Sequence, residues 1–304
     1  MNALSLELVG CDLCGETKYR ELYRKPDTRF WVSQYAFPVV ECTGCKLVYL
    51  NPRPDQTSMA PFYPANYHKN RDGEKFRRRY DLQLTFLPKL DGISVLDIGC
   101  ARGDFLAHLQ AKHPSAKVTG VDYFSTGVAH PNMRFIRTLL PSSELQDREF
   151  DLITAWAVME HLHAPSVYFA EIARILKPGG KFVFQVPNSQ SLWGRYAYRE
   201  DTPRHTYHFS PDSLKQYAEK FGFKLTKVIY DDELFDGRGK GTFLHFFGRL
   251  TCVKWENHFQ KKFNPLQKLA LWLGKTIDSA AFSFHWEKSI GRSGNIVVEF
   301  ERHG

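Results

Sequence analysis

The stretch Val95-Leu96-Asp97-Ile98-Gly99-Cys100-Ala101-Arg102-Gly103-Asp104-Phe105 decides the fold. The apolar run Ser94–Ile98 predicts a buried strand, residues 99–103 a tight turn, and the amphipathic segment 103–111 a helix. Glycine in such a turn lets the backbone approach a ligand closely, because no Cβ intervenes. Outward from this unit the alternation continues. Lys117–Val121 predicts a second strand ending in Gly120-Val121-Asp122, and strands follow at Arg134–Ile136 and 151–155. A helix over 167–176 leads through the turn Lys177-Pro178-Gly179-Gly180 into a fifth strand, 181–186. Ser210 caps a helix with Pro211 at its first position, and Gly222 closes it. The last two strands are 225–230 and 295–301. Alternation of this kind predicts an α/β fold: a Rossmann-like, doubly wound, seven-stranded sheet covered on both faces.

A strand, glycine turn and helix can hold a nucleotide or nucleoside. Dinucleotide enzymes use three glycines around a pyrophosphate. Here Gly99 and Gly103 flank Ala101, and Asp97 ends the first strand, where its carboxylate would repel pyrophosphate. A ligand bearing an ammonium, a sulfonium and a ribose suits the site better, so S-adenosylmethionine is favoured over NAD. Asp122, 25 positions after Asp97, can accept from the ribose hydroxyls. Ala101 in place of a glycine is expected to need a little more room and a negative φ. Cys100 is expected to fill space rather than act as a nucleophile.

Four of the six cysteines form two CxxC pairs, Cys11/Cys14 and Cys42/Cys45, with 27 residues between them. Paired knuckles of this type can build a closed tetrahedral zinc site of four thiolates, structural rather than catalytic. Short strands flank the second knuckle, and Asn51-Pro52-Arg53-Pro54 ends the module. The expected organisation is a zinc-ribbon-like module over 1–55, a linker and helix over 56–90, and a catalytic domain over 91–304 with an insertion at about 233–294. The helix carries Arg77-Arg78-Arg79, expected as a solvated face, with a phosphate contact as the sharper alternative.

The Asp97–Gly103 segment resembles motif I of class I methyltransferases, and Asp122 resembles their ribose-binding acidic residue. Phe150-Asp151-Leu152-Ile153-Thr154-Ala155-Trp156-Ala157-Val158-Met159-Glu160-His161 resembles that family's fourth strand and the helix after it, and Leu176-Lys177-Pro178-Gly179-Gly180 its turn before strand five. The resemblance implies a cofactor site of Asp97, Gly99, Cys100, Ala101, Gly103, Asp122, Tyr123, Leu139, Ala155 and Trp156, with adenine near 138–140. Two further segments resemble a bacterial branch tied to surface polysaccharides and secondary metabolites. They are Cys42-Thr43-Gly44-Cys45-Lys46-Leu47-Val48-Tyr49-Leu50-Asn51-Pro52-Arg53-Pro54 and Arg204-His205-Thr206-Tyr207-His208-Phe209-Ser210-Pro211. That resemblance implies an activated acceptor such as a nucleotide-linked sugar or glycan precursor.

Methyl transfer to a hydroxyl or carbon acid needs an aligned acceptor and a base. His205 is the leading candidate base, on a loop after strand five. His208, Tyr207 and Arg204 are expected to position the acceptor, and Trp193, Tyr196 and Tyr198 to add aromatic surface. His161 is a second candidate, in a Glu-His pair that can instead shape the cofactor pocket. The formal charge of +8 fits an anionic partner without choosing one. RNA is therefore a rival substrate, although Ala155-Trp156-Ala157-Val158 stands where a base-flipping motif would be. A cofactor-binding scaffold without catalysis is a second rival. The aromatic, basic segment 259–273 could touch an anionic membrane, pack on the sheet, or join a dimer. Neither a signal peptide nor a spanning segment is visible, so a cytoplasmic location is expected.

Overall fold

The computed structural model describes residues 4–27, 29–64, 73–125, 130, 132–191, 201–231, 233–234, 242–253, 263–282, 284 and 286–304. Trp193, Tyr196, Tyr198 and residues 259–262 lie outside them. Among the described residues no helix is long and apolar enough to cross a membrane.

The N-terminal fifty-odd residues form β1 (Leu6–Glu7), β2 (Tyr19–Lys25), β3 (Phe37–Cys42), β4 (Val48–Leu50) and β5 (Arg53–Pro54), followed by the short helix α1 (Gln56–Met59). Helix α2 (Glu74–Thr85) ends before Pro88, and β6 (Ser94–Ile98) opens the main sheet. Then come α3 (Asp104–Lys112), β7 (Lys117–Val121), β8 (Arg134–Ile136), β9 (Phe150–Trp156), α4 (Pro165–Ile175) and β10 (Leu176–Pro187). The chain continues through β11 (Tyr207–His208), α5 (Pro211–Lys220), β12 (Phe223–Asp231), α6 (Thr242–Leu250), α7 (Pro265–Phe282), α8 (Trp286–Ser289) and β13 (Asn295–Arg302).

Seven strands join in the order β12-β13-β10-β9-β6-β7-β8. β8, β7, β6, β9 and β10 run parallel, and β13 is antiparallel to both its neighbours. This is the expected Rossmann-like architecture. Strand order reverses beside β6, where open α/β sheets bind ligands at the carboxyl ends of the strands. β10 differs from expectation: it begins at Leu176, which pairs with Phe150, and pairing to β9 resumes at Lys181 with Leu152, so Lys177–Gly180 form a bulge within the strand. The core on one face is aromatic. Phe182 and Phe184, two apart on β10, stack at 4.4 Å, and Phe169 of α4 stacks on Tyr217 of α5 at 4.8 Å. All four are fully buried, each contributing roughly 1.5–3 kcal/mol. Ser210 caps α5 as expected, its hydroxyl accepting from Ser213 N while Ser213 Oγ accepts from Ser210 N.

The small sheet reveals what local pattern could not. Its order is β11-β4-β3-β2, so a strand at Tyr207–His208 completes a sheet whose other strands lie between Tyr19 and Leu50. Tyr207 pairs with Tyr49 and His208 with Val48, and Leu50 N donates to Thr206 O. The segments 42–54 and 204–211 form one substructure. Buried Arg53 pairs with Glu7 at 2.7 Å and donates to Tyr207 Oη at 3.1 Å, while Asn51 holds both backbone groups of Val9. In the insertion, α7 packs on α6. A Cβ on Gly274 would come 2.6 Å from Leu244 Cα, and buried Asp278 accepts from the N–H groups of Phe243 and Leu244 at the start of α6. Leu266, Leu269 and Trp272 of α7 are exposed.

Candidate active site

Three residues in the turn after β6 have left-handed backbones: Gly99 (φ +69°), Ala101 (φ +51°) and Gly103 (φ +82°). The negative φ expected at Ala101 is therefore incorrect. The turn is anchored to the neighbouring strand: Gly99 N and Cys100 N both donate to Val121 O, and Ala101 N donates to Asp122 Oδ2 at 2.9 Å. Holding those N–H groups forces the alternating left-handed conformation, and alanine carries the strain. Asp122 Oδ1 also accepts from Phe124 N and Ser125 N, each at 2.8 Å. A carboxylate offers about four acceptor directions, so about one remains for a ribose hydroxyl. Cys100 sits against Gly120, where a Cβ would come 2.6 Å from its sulfur. Burial, and then the charges of Asp97 and Asp122, push its thiol pKa well up. Space-filling is the role this geometry supports.

Asp97 is buried and accepts from Thr154 Oγ1 at 2.7 Å across the β6–β9 pair. It faces a cleft that also meets Gly99, Cys100, Asp104, Phe105 and Trp156. The far wall comes from α2, through Phe76, Arg79, Tyr80 and Gln83. Sequence reasoning missed that wall. The signal was the pair Tyr80/Gln83, buried three apart on one face, while Arg77 and Arg78 point to solvent. Trp156 Nε1 and Gln83 Oε1 are buried with no hydrogen-bond partner among the described residues. An orphaned donor and acceptor on facing walls suit a polar ligand with both functions. Of the remaining positions implied by resemblance, Tyr123 and Leu139 are exposed beyond β7 and β8, and the side chain of Ala155 lies wholly in the sheet core.

Both cysteine knuckles converge. Cys11 Sγ lies 3.4 Å from Cys45 Sγ, Cys14 Sγ 3.5 Å from Cys42 Sγ, and all four sulfurs are within 4.8 Å of one another. These separations are too long for disulfides and bracket the ~3.8 Å sulfur spacing that a tetrahedral site with ~2.3 Å Zn–S bonds requires. Between the first two cysteines, Asp12 accepts from Ser166 N, Ser166 Oγ and Tyr217 Oη at 2.6–2.9 Å. The knuckle is thereby tied to α4 and α5.

The histidines form a buried pocket at the end of β9. Val158, two residues before Glu160, packs on the cofactor turn: a Cβ on Gly99 would lie 2.6 Å from Val158 Cγ2. Glu160 is buried, and burial raises its pKa to about 7. His161 and His205 meet edge to face at 4.7 Å, and His205 Nε2 lies 3.1 Å from Asp201 Oδ2. His161 Nδ1 lies 3.0 Å from Tyr63 Oη and 3.1 Å from Arg204 O. Burial pushes the His161 and His208 pKa values down to about 3, so both rings are neutral near pH 7. Arg204 is wholly buried. It pairs with Asp201 at 2.7 Å and Asp27 at 3.0 Å, donates to Phe62 O, and lies over the Phe30 ring. Tyr207 is likewise buried, its hydroxyl engaged by Arg53. The loop thus brings His205 and His161 together with Glu160, and places Arg204 and Tyr207 behind them as braces.

A left-handed glycine turn at the head of such a sheet, with an acidic residue at the end of each of its first two strands, defines a nucleoside-binding fold of the methyltransferase type. A family profile described as "Methyltransferase domain" matches residues 67–228, more than half the chain, and the protein belongs to the S-adenosylmethionine-dependent methyltransferase family. It is 27% identical over 165 residues to a protein of Mycolicibacterium smegmatis named "Probable S-adenosylmethionine-dependent methyltransferase"; the match covers 51% of this chain and 61% of that one. It is 30% identical over 158 residues to a ubiquinone biosynthesis O-methyltransferase of Coxiella burnetii, covering 46% and 67%. The chain thus spans about six-tenths of its mycolicibacterial relative. Among solved structures, a chain of the complex between the Haloferax volcanii Trm112 methyltransferase activator and a methyltransferase superposes with a TM-score of 0.51, at 15% identity, over 75% of this chain and 91% of that one. That likeness concerns the fold alone.

Proposed function

We propose that the protein transfers the methyl group of S-adenosylmethionine to an oxygen of a small molecule, with a nucleotide-linked sugar or glycan precursor as the leading acceptor class. The observation that carries this is the cofactor turn, whose three left-handed residues open the backbone toward the Asp97 carboxylate and the cleft it lines. Asp97 suits the cofactor's ammonium, Asp122 its ribose, and the Trp156 and Gln83 orphans its remaining polar groups. Transfer is an in-line displacement at a sulfonium carbon. The protein must hold acceptor oxygen, methyl and sulfur in line and receive the acceptor's proton. His205, oriented by Asp201, is the group placed to take or relay that proton. A relative named as an O-methyltransferase supports oxygen as the acceptor atom, and the branch motifs support the sugar class. The four cysteines fit structural zinc, whose part is to hold the module that carries β4 and therefore β11.

Calorimetric titration with S-adenosylhomocysteine, with NAD as control and zinc content measured on the same sample, tests the reading. Micromolar binding of the homocysteine analogue alone is expected. Absence of binding by folded, zinc-loaded protein would overturn it. Turnover with a panel of nucleotide sugars, against RNA as the rival substrate, then tests the acceptor class.

A further inference from the structure

The ligand atoms of Glu160, His161 and His205 lie within 4.8 Å of one another, in a pocket where all three residues are buried or nearly so. Both rings are held from behind. His161 Nδ1 lies between Tyr63 Oη at 3.0 Å and Arg204 O at 3.1 Å. His205 Nε2 lies 3.1 Å from Asp201 Oδ2. Glu160 is 1% exposed, and its Oε2 has no hydrogen-bond partner among the described residues. A buried carboxyl group beside two imidazoles is stabilised by a shared positive charge, either a proton or a metal cation.

We propose that Glu160, His161 and His205 hold a divalent transition-metal cation, separate from the four-cysteine site. Two histidines and one glutamate form a ligand set used for zinc in catalytic sites and for other first-row divalent metals, with remaining positions open to water or substrate. The backing contacts match what metal-bound histidines require: a backbone carbonyl behind one ring and a carboxylate behind the other. Asp201 is itself fixed by Arg204 and Arg29, so the His205 ring is held on its axis. Metal–ligand bonds of ~2.0–2.2 Å place tetrahedral ligand atoms roughly 3.3–3.6 Å apart, inside the 4.8 Å within which these three lie. The open positions fit an acceptor that presents a hydroxyl or a pair of adjacent oxygens. The inference deepens the reading above: His205 would act through the cation rather than take the proton itself. Its acceptor chemistry rests on that reading, whereas cation binding does not.

The experiment uses the full chain produced in medium with cobalt(II) in place of zinc and passed through gel filtration, with metal content measured per chain. Wild type is expected to hold two equivalents. One gives intense thiolate-to-cobalt charge transfer, and the other only weak visible bands from nitrogen and oxygen ligands. Glu160→Gln and His205→Gln should each lose the second equivalent while keeping the thiolate band and S-adenosylhomocysteine binding, both of which also report that the variant folds. A single equivalent in wild type, with all four cysteines engaged, overturns the proposal and leaves a shared proton in the pocket. So does a second equivalent that survives in both variants. Loss of S-adenosylhomocysteine binding by wild type would strike the methyltransferase reading instead, so the two failures are distinguishable.

Discussion

Ala101 and Gly99 sit two apart in one turn, with the same sign of φ and opposite expected responses to substitution. Ala101 holds φ +51°, where a Cβ costs about 1–2 kcal/mol. Ala101→Gly removes that strain but adds about 0.5–1 kcal/mol of backbone entropy to the unfolded chain. The net expectation is a gain of roughly 0.5–1 kcal/mol, or ~1–3 °C in Tm for a chain of this size. The strain is present with and without ligand, so S-adenosylhomocysteine affinity should stay within about twofold. Gly99→Ala adds a Cβ at φ +69° and places it 2.6 Å from Val158 Cγ2. Val158 is β-branched and has little rotamer freedom to retreat. Left-handed strain of about 1–2 kcal/mol then combines with overpacking of about 1–3 kcal/mol, for a loss of roughly 2–4 kcal/mol. Affinity should fall as well, because Val158 moves against the cofactor turn. Urea unfolding and calorimetric titration of both variants read these numbers directly. A destabilised Ala101→Gly, or a neutral Gly99→Ala, would refute a turn held left-handed by its bonds to Val121 and Asp122.

Strong chelation of the cysteine site should reduce methyl transfer far more than S-adenosylhomocysteine binding, because the module carries β4, to which β11 and the histidine loop are hydrogen-bonded; equal loss of both, followed by titration and turnover on one sample, would contradict this. Arg204→Met leaves Asp27 and Asp201 buried without their shared cation and should cost about 3–5 kcal/mol in urea unfolding, so a loss below about 1 kcal/mol would count against the pair as a brace. For Glu171, burial works against the charged form, but paired bonds from Arg174 and one from Ser142 N outweigh it and hold the carboxyl below its ordinary value. Its contribution is therefore fully present above about pH 4.3 and is lost as pH falls through the lowered folded value. Glu171→Gln should flatten the acid limb of stability against pH, and an unchanged slope would refute the assignment.

Much of the fold was legible because its signals are local. Three strands of the main sheet begin and end where the apolar runs do, and Ser210, Pro211 and Gly222 bound α5 by capping chemistry that needs no distant partner. The cysteine cluster was equally visible, since CxxC spacing is itself a geometric statement. The backbone sign at Ala101 was not. It depends on two hydrogen bonds supplied by β7 and the residue after it, and no residue-type rule assigns a left-handed angle to alanine.

The histidine loop marks the boundary most clearly. Sequence by itself established that Arg204, His205, Tyr207 and His208 form a dense polar cluster between the fifth strand and a capped helix. It also predicted that the strand-turn-helix over 94–111 holds a nucleoside cofactor. Tertiary structure decided what each member does: Arg204 faces two carboxylates from positions 27 and 201, Tyr207 meets Arg53, and His205 meets a buried glutamate and histidine from the end of β9. The wall contributed by α2 was decided in the same way. Periodicity records which face of an element is apolar, but not which distant element will cover it. A pairing across 150 residues is fixed only when the whole chain closes, because burial of each charge becomes tolerable only with its partner already in place.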